Sequence, residues 1–235
     1  GAYEQDALQL LNKLFQEHDV VILTGGSGLY VRALCEGMDE MPETDPAVRE
    51  KLTEIYREHG LEPLLEQLQQ LDPVYFDLVD KANPQRIIRA LEVCISSGQP
   101  YSAYRKSERP ERPFNIIKIA LTRERAELYS RIDQRMDLML QQGLLEEARV
   151  LYPYRHHNAL QTVGYKEIFD YLDGKYDWEE AVRLLKRNSR RYAKRQLTWF
   201  TRHPDEYAWF HPQQWNEIIA YIRGSIEDKS RESSN

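Results

Sequence analysis

The chain alternates between long amphipathic stretches and two short, unbroken apolar runs. Apolar residues at helical spacing predict helices over residues 3–17, 29–34, 46–58, 61–70, 84–97, 123–141, 144–151, 165–173 and 178–200. Asp45-Pro46 favours a helix start, because Asp caps the first turn and Pro fits inside it, and Gly98 favours a helix end. The apolar runs at 20–23 and 116–121 are typical of strands buried on both faces of a parallel sheet.

Two strands are too few for such a sheet, since an isolated two-stranded sheet is only marginally stable. The chain opens at Gly1 directly in a helical pattern, and residues 228–235 are rich in Ser and charge, which predicts a disordered tail. We therefore predict an α/β fold that is mostly helical as present. We expect the rest of its parallel sheet to lie outside this chain.

The composition narrows the class of protein. Of 235 residues, 41% are hydrophobic and 30% are charged, which suits a large globular domain. No apolar run approaches the roughly 20 residues of a membrane helix. Cys35 and Cys94 are too few for a disulfide framework or a zinc cluster, and the adjacent His156 and His157 lack further ligands. These features predict a cytoplasmic protein with no membrane partner and no metal site in this chain.

Charge is distributed unevenly. The net charge is −6, yet residues 183–202 contain eight Lys or Arg side chains and no Asp or Glu. Arg191 and Arg195 fall in one row at a spacing of four, and like charges at that spacing repel each other. Such a face is tolerated more easily when an anion or acidic neighbours neutralise it. The strip therefore favours phosphate or nucleic-acid binding.

A glycine-rich turn, Thr24–Gly28, follows the first apolar run. Glycines there allow a sharp turn and a close approach to a ligand, and the Ser27 hydroxyl can bind phosphate or a base. The turn is not a dinucleotide fingerprint, because its last glycine would fall on Val31, and the chain contains no P-loop motif. A plain turn between strand and helix explains the same residues.

Two pairs of arginines lie at helical spacing. Arg86 and Arg89 share a face near a helix N-terminus, where an anion is favoured, although pairing with Glu92 is an equally simple explanation. Arg131 and Arg135 follow the second apolar run and would suit a diphosphate clamp. Pairing within that helix explains them as well.

Five segments, in this order, resemble the tRNA dimethylallyltransferase (tRNA isopentenyltransferase) family. They are residues 21–30, Asp45-Pro46 with Arg49, residues 85–93, residues 164–167 and residues 192–200. The resemblance runs over about residues 1–202. It implies a P-loop-kinase-like parallel sheet with a helical insertion, for which we expect core residues 1–41, an insertion at 42–112, a core return at 113–227 and the tail at 228–235.

The resemblance also implies a function. Members of the family transfer the dimethylallyl group of dimethylallyl diphosphate to N6 of the adenosine 3′ of the tRNA anticodon, with Mg²⁺. It implies tRNA contacts at Ser27, Arg49, Gln85, Arg86, Arg89, Gln161, Gly164, Tyr165, Lys166, Arg191 and Arg195. Arg135, with Arg131, matches a diphosphate-binding position. The expected partners are the anticodon stem-loop and dimethylallyl diphosphate, and the complete enzyme is expected to be a monomer.

The sequence departs from the family in one respect. The family's P-loop and the Asp that acts as its catalytic base have no counterpart in this chain. We therefore expect no catalytic residue here, Mg²⁺ only in the full-length enzyme, and a chain that is catalytically deficient alone. An adenylate isopentenyltransferase and a non-catalytic RNA-binding helical module are the alternatives.

Overall fold

A computed structural model of the protein describes residues 2–105 and 110–232. The chain divides into two compact units. The first unit comprises the residues up to Leu23 together with Leu29–Pro113, and the second comprises Thr24–Gly28 together with the residues from Phe114 onward.

The first unit is built from helices. They are α1 (Ala2–Leu14), α2 (Gly28–Glu36, whose first residue belongs to the second unit), α3 (Pro46–His59), α4 (Glu62–Leu71), α5 (Pro73–Leu78) and α6 (Pro84–Ser97), followed by a 3₁₀ turn at Tyr101–Tyr104. Helices α3 and α4 pack against α6 around a core that includes Leu52, Leu64, Leu68, Ile87 and Leu91, each with at most 2% of its surface exposed.

Polar side chains set the helix boundaries of this unit. The Asp45 carboxylate accepts a hydrogen bond from the Ala47 N–H at 2.8 Å, and Asn83 caps α6 through the Arg86 N–H. Gly98 ends α6 in the left-handed conformation, with φ of 69°. Asp72 is fully buried and caps α5 through the Tyr75 N–H, while its other contacts are the Ser102 N–H and hydroxyl.

The second unit combines helices with one small sheet. Its elements are β1 (Ile119–Leu121), α7 (Arg125–Gln141), α8 (Leu144–Leu151), α9 (Tyr165–Leu172), α10 (Trp178–Phe200), β2 (Ala208–Phe210) and α11 (Trp215–Glu232), with 3₁₀ turns between some of them. Strands β1 and β2 are parallel, with Ala120 opposite Trp209. The core of α8, α9 and α10 includes Leu144, Ala148, Ile168, Phe169 and Leu185.

The strand predicted at residues 20–23 is wrong. The segment forms no strand, and Ile22 is 83% exposed. A strand needs a neighbouring backbone to complete its hydrogen bonds, and no strand among the described residues pairs with this one. The pattern of apolar residues reports side-chain character and not the presence of that neighbour.

Other elements also differ from the predictions. The second predicted strand, at 116–121, is shortened to Ile119–Leu121 and pairs with β2. Strand β2 and helices α5 and α11 lie outside the predicted elements. Helix α11 continues to Glu232, so the predicted disorder from residue 228 is wrong as far as Glu232, and residues 233–235 lie outside the described residues. Residues 106–109 also lie outside them. No helix among the described residues is long and apolar enough to span a membrane.

We expect Asp72→Ala to destabilise the protein by about 2–4 kcal/mol, because it removes a helix cap and leaves the Ser102 N–H without its buried acceptor. Asp77→Ala, an exposed Asp in the same helix, is the matched control and should stay within about 0.5 kcal/mol of the wild type. Urea unfolding followed by circular dichroism measures both. Equal midpoints for the two variants would contradict this account of Asp72.

Candidate nucleic-acid interface

Acidic residues neutralise one side of the basic helix α10. Lys186 pairs with Asp137 at 2.6 Å, and Arg190 donates to both carboxylate oxygens of Asp133, one at 2.7 Å. Both acids lie on α7. Arg183 pairs with Glu180 in the first turn of α10 through two hydrogen bonds of 2.6 Å. The helix therefore meets acidic neighbours along this side, which the charge of its own sequence does not reveal.

Three cations farther along α10 lack such partners. Arg191, Lys194 and Arg195 are exposed, and no Asp or Glu within residues 2–105 and 110–232 pairs with them. The Arg195 guanidinium lies over the ring of Tyr192, 5.5 Å from its centroid, and Tyr192 is 41% exposed. We call Arg191, Tyr192, Lys194 and Arg195 the open face of α10. Exposed guanidinium groups beside an aromatic ring can bind phosphates and stack on a base.

The glycine turn packs against the C-terminal half of α10. The Gln196 side-chain amide donates to the Gly26 carbonyl at 2.9 Å, and a Cβ on Gly28 would lie 2.2 Å from the Trp199 ring. Neither Gly26 nor Gly28 adopts a positive φ, so glycine is required here for close packing and not for backbone conformation. Ser27 lies between them with its side chain exposed. The turn is therefore held to the helix by the residues that follow Arg195.

The loop before α9 is also tied to α10. Glu167 is 4% exposed, and its carboxylate accepts the Gly164 N–H at 2.8 Å and the Asn188 side-chain amide at 2.7 Å. Gly164 has φ of 111°, which favours glycine over any side chain. The Tyr176 hydroxyl donates to the Glu167 carbonyl at 2.7 Å, and burial raises the pKa of Tyr176 to about 12, so this donor stays protonated.

Side chains of the predicted tRNA-contacting loop have partners within the protein. Gln161 donates to the Arg155 carbonyl, and the Tyr165 hydroxyl donates to Glu147, which raises the pKa of Tyr165. Lys166 pairs with Asp170 at 3.0 Å. These contacts fix the shape of the loop. The predicted tRNA contacts at Gln161, Gly164, Tyr165 and Lys166 stay predictions.

The predicted residues of the first unit lie on α3 and α6. Arg49 and Arg89 both contact Glu92, at 3.2 and 3.1 Å, so the pairing of Arg89 with Glu92 is observed. Gln85 and Arg86 are exposed at the start of α6.

The arginines predicted to hold diphosphate lie on α7. Arg131 and Arg135 are exposed, and each lies two positions from an Asp that faces α10, which turns it to the far side of the helix. Their pairing within the helix is not observed, because Glu127 pairs with Arg123 and His211, and Asp133 pairs with Arg190. Neither guanidinium group has an acidic partner within residues 2–105 and 110–232, so both are available for an anion.

The described residues offer no metal centre. Nowhere in residues 2–105 and 110–232 do three or more His, Cys, Asp or Glu side chains form a group that could hold an ion.

Helices together with one short parallel sheet define an α/β protein. The family model described as IPP transferase matches residues 1–203. The chain belongs to the IPP transferase family, which is a family of prenyltransferases.

Curated relatives support the same family assignment. The chain is 50% identical over 225 residues to "tRNA dimethylallyltransferase 1" of Bacteroides fragilis, covering 96% of this chain and 74% of that protein. It is 51% identical over 228 residues to "tRNA dimethylallyltransferase" of Cytophaga hutchinsonii, covering 97% of this chain and 75% of that protein.

Solved structures are similar as well. The full-length tRNA isopentenylpyrophosphate transferase from Bacillus halodurans is 36% identical with a TM-score of 0.67, and the match covers 99% of this chain and 75% of that chain. A eukaryotic dimethylallyltransferase acting on tRNA has a TM-score of 0.74 at 22% identity, covering 96% of this chain and 61% of that chain, which shows the fold alone. The predicted family and fold class are confirmed.

We expect Gly28→Ala to destabilise the protein by about 1–3 kcal/mol, because its Cβ would overlap the Trp199 ring. Gly25→Ala is the matched control in the same turn. A Cβ at position 25 would have no heavy atom of another residue within 4 Å apart from its chain neighbours, so this variant should shift stability by no more than about 0.5 kcal/mol. Urea unfolding followed by tryptophan fluorescence measures the difference, and a stable Gly28→Ala protein would contradict the packing described for this turn.

Proposed function

We propose that this chain acts in tRNA modification, in the transfer of a dimethylallyl group from dimethylallyl diphosphate to N6 of the adenosine 3′ of the anticodon. The observation that carries the proposal is the family match over residues 1–203, with about half of all residues identical to proteins named tRNA dimethylallyltransferase. The exposed arginines of both units support it, because tRNA and diphosphate are both anions.

The chemistry explains why cations are needed. The N6 lone pair attacks the allylic carbon, the carbon–oxygen bond breaks, and its electrons leave with diphosphate while a base takes the N6 proton. Negative charge therefore grows on the leaving group, where fixed guanidinium groups stabilise it. We assign Arg131 and Arg135 to the diphosphate, since both are exposed without an acidic partner in the described part of the chain.

The tRNA side is assigned to two sets of residues. Ser27, Arg191 and Arg195, with the loop residues Gln161, Gly164, Tyr165 and Lys166, form the set in the second unit. Arg49, Gln85, Arg86 and Arg89 form the set in the first unit. Exposed arginines in each set would contact the phosphate backbone, and Tyr192 beside Arg195 offers a ring for a base.

We propose that the reaction uses Mg²⁺. When bound, it would neutralise charge on the diphosphate. The residues described here include no group of three His, Cys, Asp or Glu that would hold it, so no step is assigned to it in this chain.

With no P-loop and no assigned base, we expect little transfer by this chain alone, which a transfer assay with labelled dimethylallyl diphosphate checks.

The open face of α10 should carry part of the salt dependence of tRNA binding. We expect Arg191→Gln combined with Arg195→Gln to weaken binding and to reduce the slope of log affinity against log salt by about 1.5, because two phosphate contacts are lost. Fluorescence anisotropy with an anticodon stem-loop RNA, measured over a range of salt, gives the slope. Arg183→Gln is the control in the same helix, since Arg183 is already held by Glu180 and should leave the slope unchanged.

Competition with AMP and the salt slopes together separate a tRNA substrate from a free nucleotide and test the open face. Tight binding of the stem-loop that excess AMP does not displace supports a tRNA substrate. Displacement by AMP would instead support the adenylate isopentenyltransferase alternative. Equal slopes for the double variant and Arg183→Gln would contradict the assignment of the open face to RNA.

A further inference from the structure

We propose that Glu92 is a positioning residue, which holds Arg49 and Arg89 together as one anchor for a backbone phosphate of the RNA. The inference rests on the proposed function, because it names how one predicted part of the tRNA-binding set is organised. It concerns a residue that carries the same sign of charge as its ligand and cannot itself bind a phosphate.

The contacts around Glu92 join three segments of the first unit. One carboxylate oxygen, Oε2, lies 3.2 Å from Nη1 of Arg49 on α3 and 3.1 Å from Nη1 of Arg89 on α6. The other, Oε1, accepts the hydroxyl of Thr44 at 2.8 Å, and the Thr44 hydroxyl oxygen in turn accepts Nη1 of Arg89 at 3.2 Å. The Asp45 N–H donates to Ser96 Oγ at 3.1 Å, which fixes the loop that carries Thr44.

Burial differs sharply within this cluster. The Glu92 side chain is only 5% exposed, whereas those of Arg49 and Arg89 are 48% and 37% exposed. A buried carboxylate needs partners, and here it has two cations and one hydroxyl. Each guanidinium group uses only Nη1 on this cluster, so its remaining N–H donors are left for an outside acceptor.

The cluster has the charge and the order that a phosphate site needs. Two arginines on one carboxylate leave a net charge of about +1, and the shared carboxylate keeps two like charges side by side that would otherwise repel. Side chains that are already ordered lose less conformational entropy when they bind. An arginine held on its inner edge and exposed on its outer edge can bind a phosphate without leaving its partner.

Positioning and simple charge predict opposite results for one substitution. Glu92→Gln removes a negative charge from an RNA-binding surface, so charge alone predicts tighter binding and a steeper salt dependence. Positioning predicts weaker binding, because Arg49 and Arg89 lose the group that holds them. A purely structural role predicts lower stability and no specific loss of RNA affinity once the protein is folded.

The test compares variants of the full chain in their binding to an anticodon stem-loop RNA. We expect Glu92→Gln to weaken binding by about 5- to 20-fold at one salt concentration, which corresponds to the loss of one well-ordered charged contact. Glu54→Gln removes the same charge from an exposed position on α3 and is the matched control, with binding equal to or slightly tighter than the wild type. Thermal unfolding identifies the variants that are folded at the assay temperature.

A second variant keeps the test decisive if Glu92→Gln does not fold. Thr44→Val retains Glu92 and both ion pairs but removes the hydroxyl that links Glu92 to Arg89, and we expect about two- to fivefold weaker binding. NMR of the guanidinium Nε–Hε groups gives a readout independent of RNA. In the free protein, the signals of Arg49 and Arg89 should be sharp in the wild type and broadened or lost in the variants.

The outcomes are distinguishable. If the wild-type chain does not bind the RNA, the proposed function fails and the inference fails with it. If the wild type binds and folded Glu92→Gln binds equally well or more tightly, the inference alone is overturned. Unchanged binding by Thr44→Val would overturn it in the same way.

Discussion

The second unit depends on how the charge of α10 is neutralised. Lys186 and Arg190 pair with Asp137 and Asp133 of α7, where the two helices lie side by side next to a core that Leu185 helps to fill. Without acids on α7, the cations on this side of α10 would repel one another and oppose packing. Arg191, Lys194 and Arg195 are exposed and have no acidic partner among the described residues, so the helix that packs against α7 also carries the candidate RNA surface.

Buried carboxylates organise the remaining parts of the protein. Asp72, Glu92 and Glu167 are the buried acidic side chains in the described part of the chain, and each binds groups from different segments. Asp72 fixes the turn at Ser102, Glu92 joins Arg49 to Arg89, and Glu167 holds Gly164 and Asn188. Each carboxylate fixes a loop or an arginine that hydrophobic packing alone would leave free. Two of the three lie directly behind predicted tRNA-binding residues.

Local sequence predicted most of the helices well. Helices α6, α8 and α10 begin and end where their caps and apolar spacing indicate, since those signals lie within the helix itself. The strands were predicted poorly, because a strand depends on a partner elsewhere. Residues 20–23 have the composition of a strand but no described partner, and β2 is too short to show an alternating pattern.

The candidate site depends on tertiary contacts in the same way. The sequence shows the cations of α10, but only the tertiary structure separates Lys186 and Arg190, which are neutralised, from Arg191 and Arg195. For Arg89, the sequence leaves both a phosphate and Glu92 open as partners, and the structure shows the contact with Glu92. In the sequence, Glu92 is only a competing partner for the arginines, since a carboxylate gives no signal for an RNA site.

Chemical footprinting of the lysines on α10 tests the central claim most directly. Lys186 and Lys194 lie on one helix, but Lys186 pairs with Asp137 and Lys194 belongs to the open face. Acetylation of the folded chain, read by mass spectrometry with and without an anticodon stem-loop RNA, compares them under the same conditions. The account predicts that RNA protects Lys194 strongly and leaves the labelling of Lys186 unchanged. Equal protection of both lysines, or none at Lys194, would contradict it.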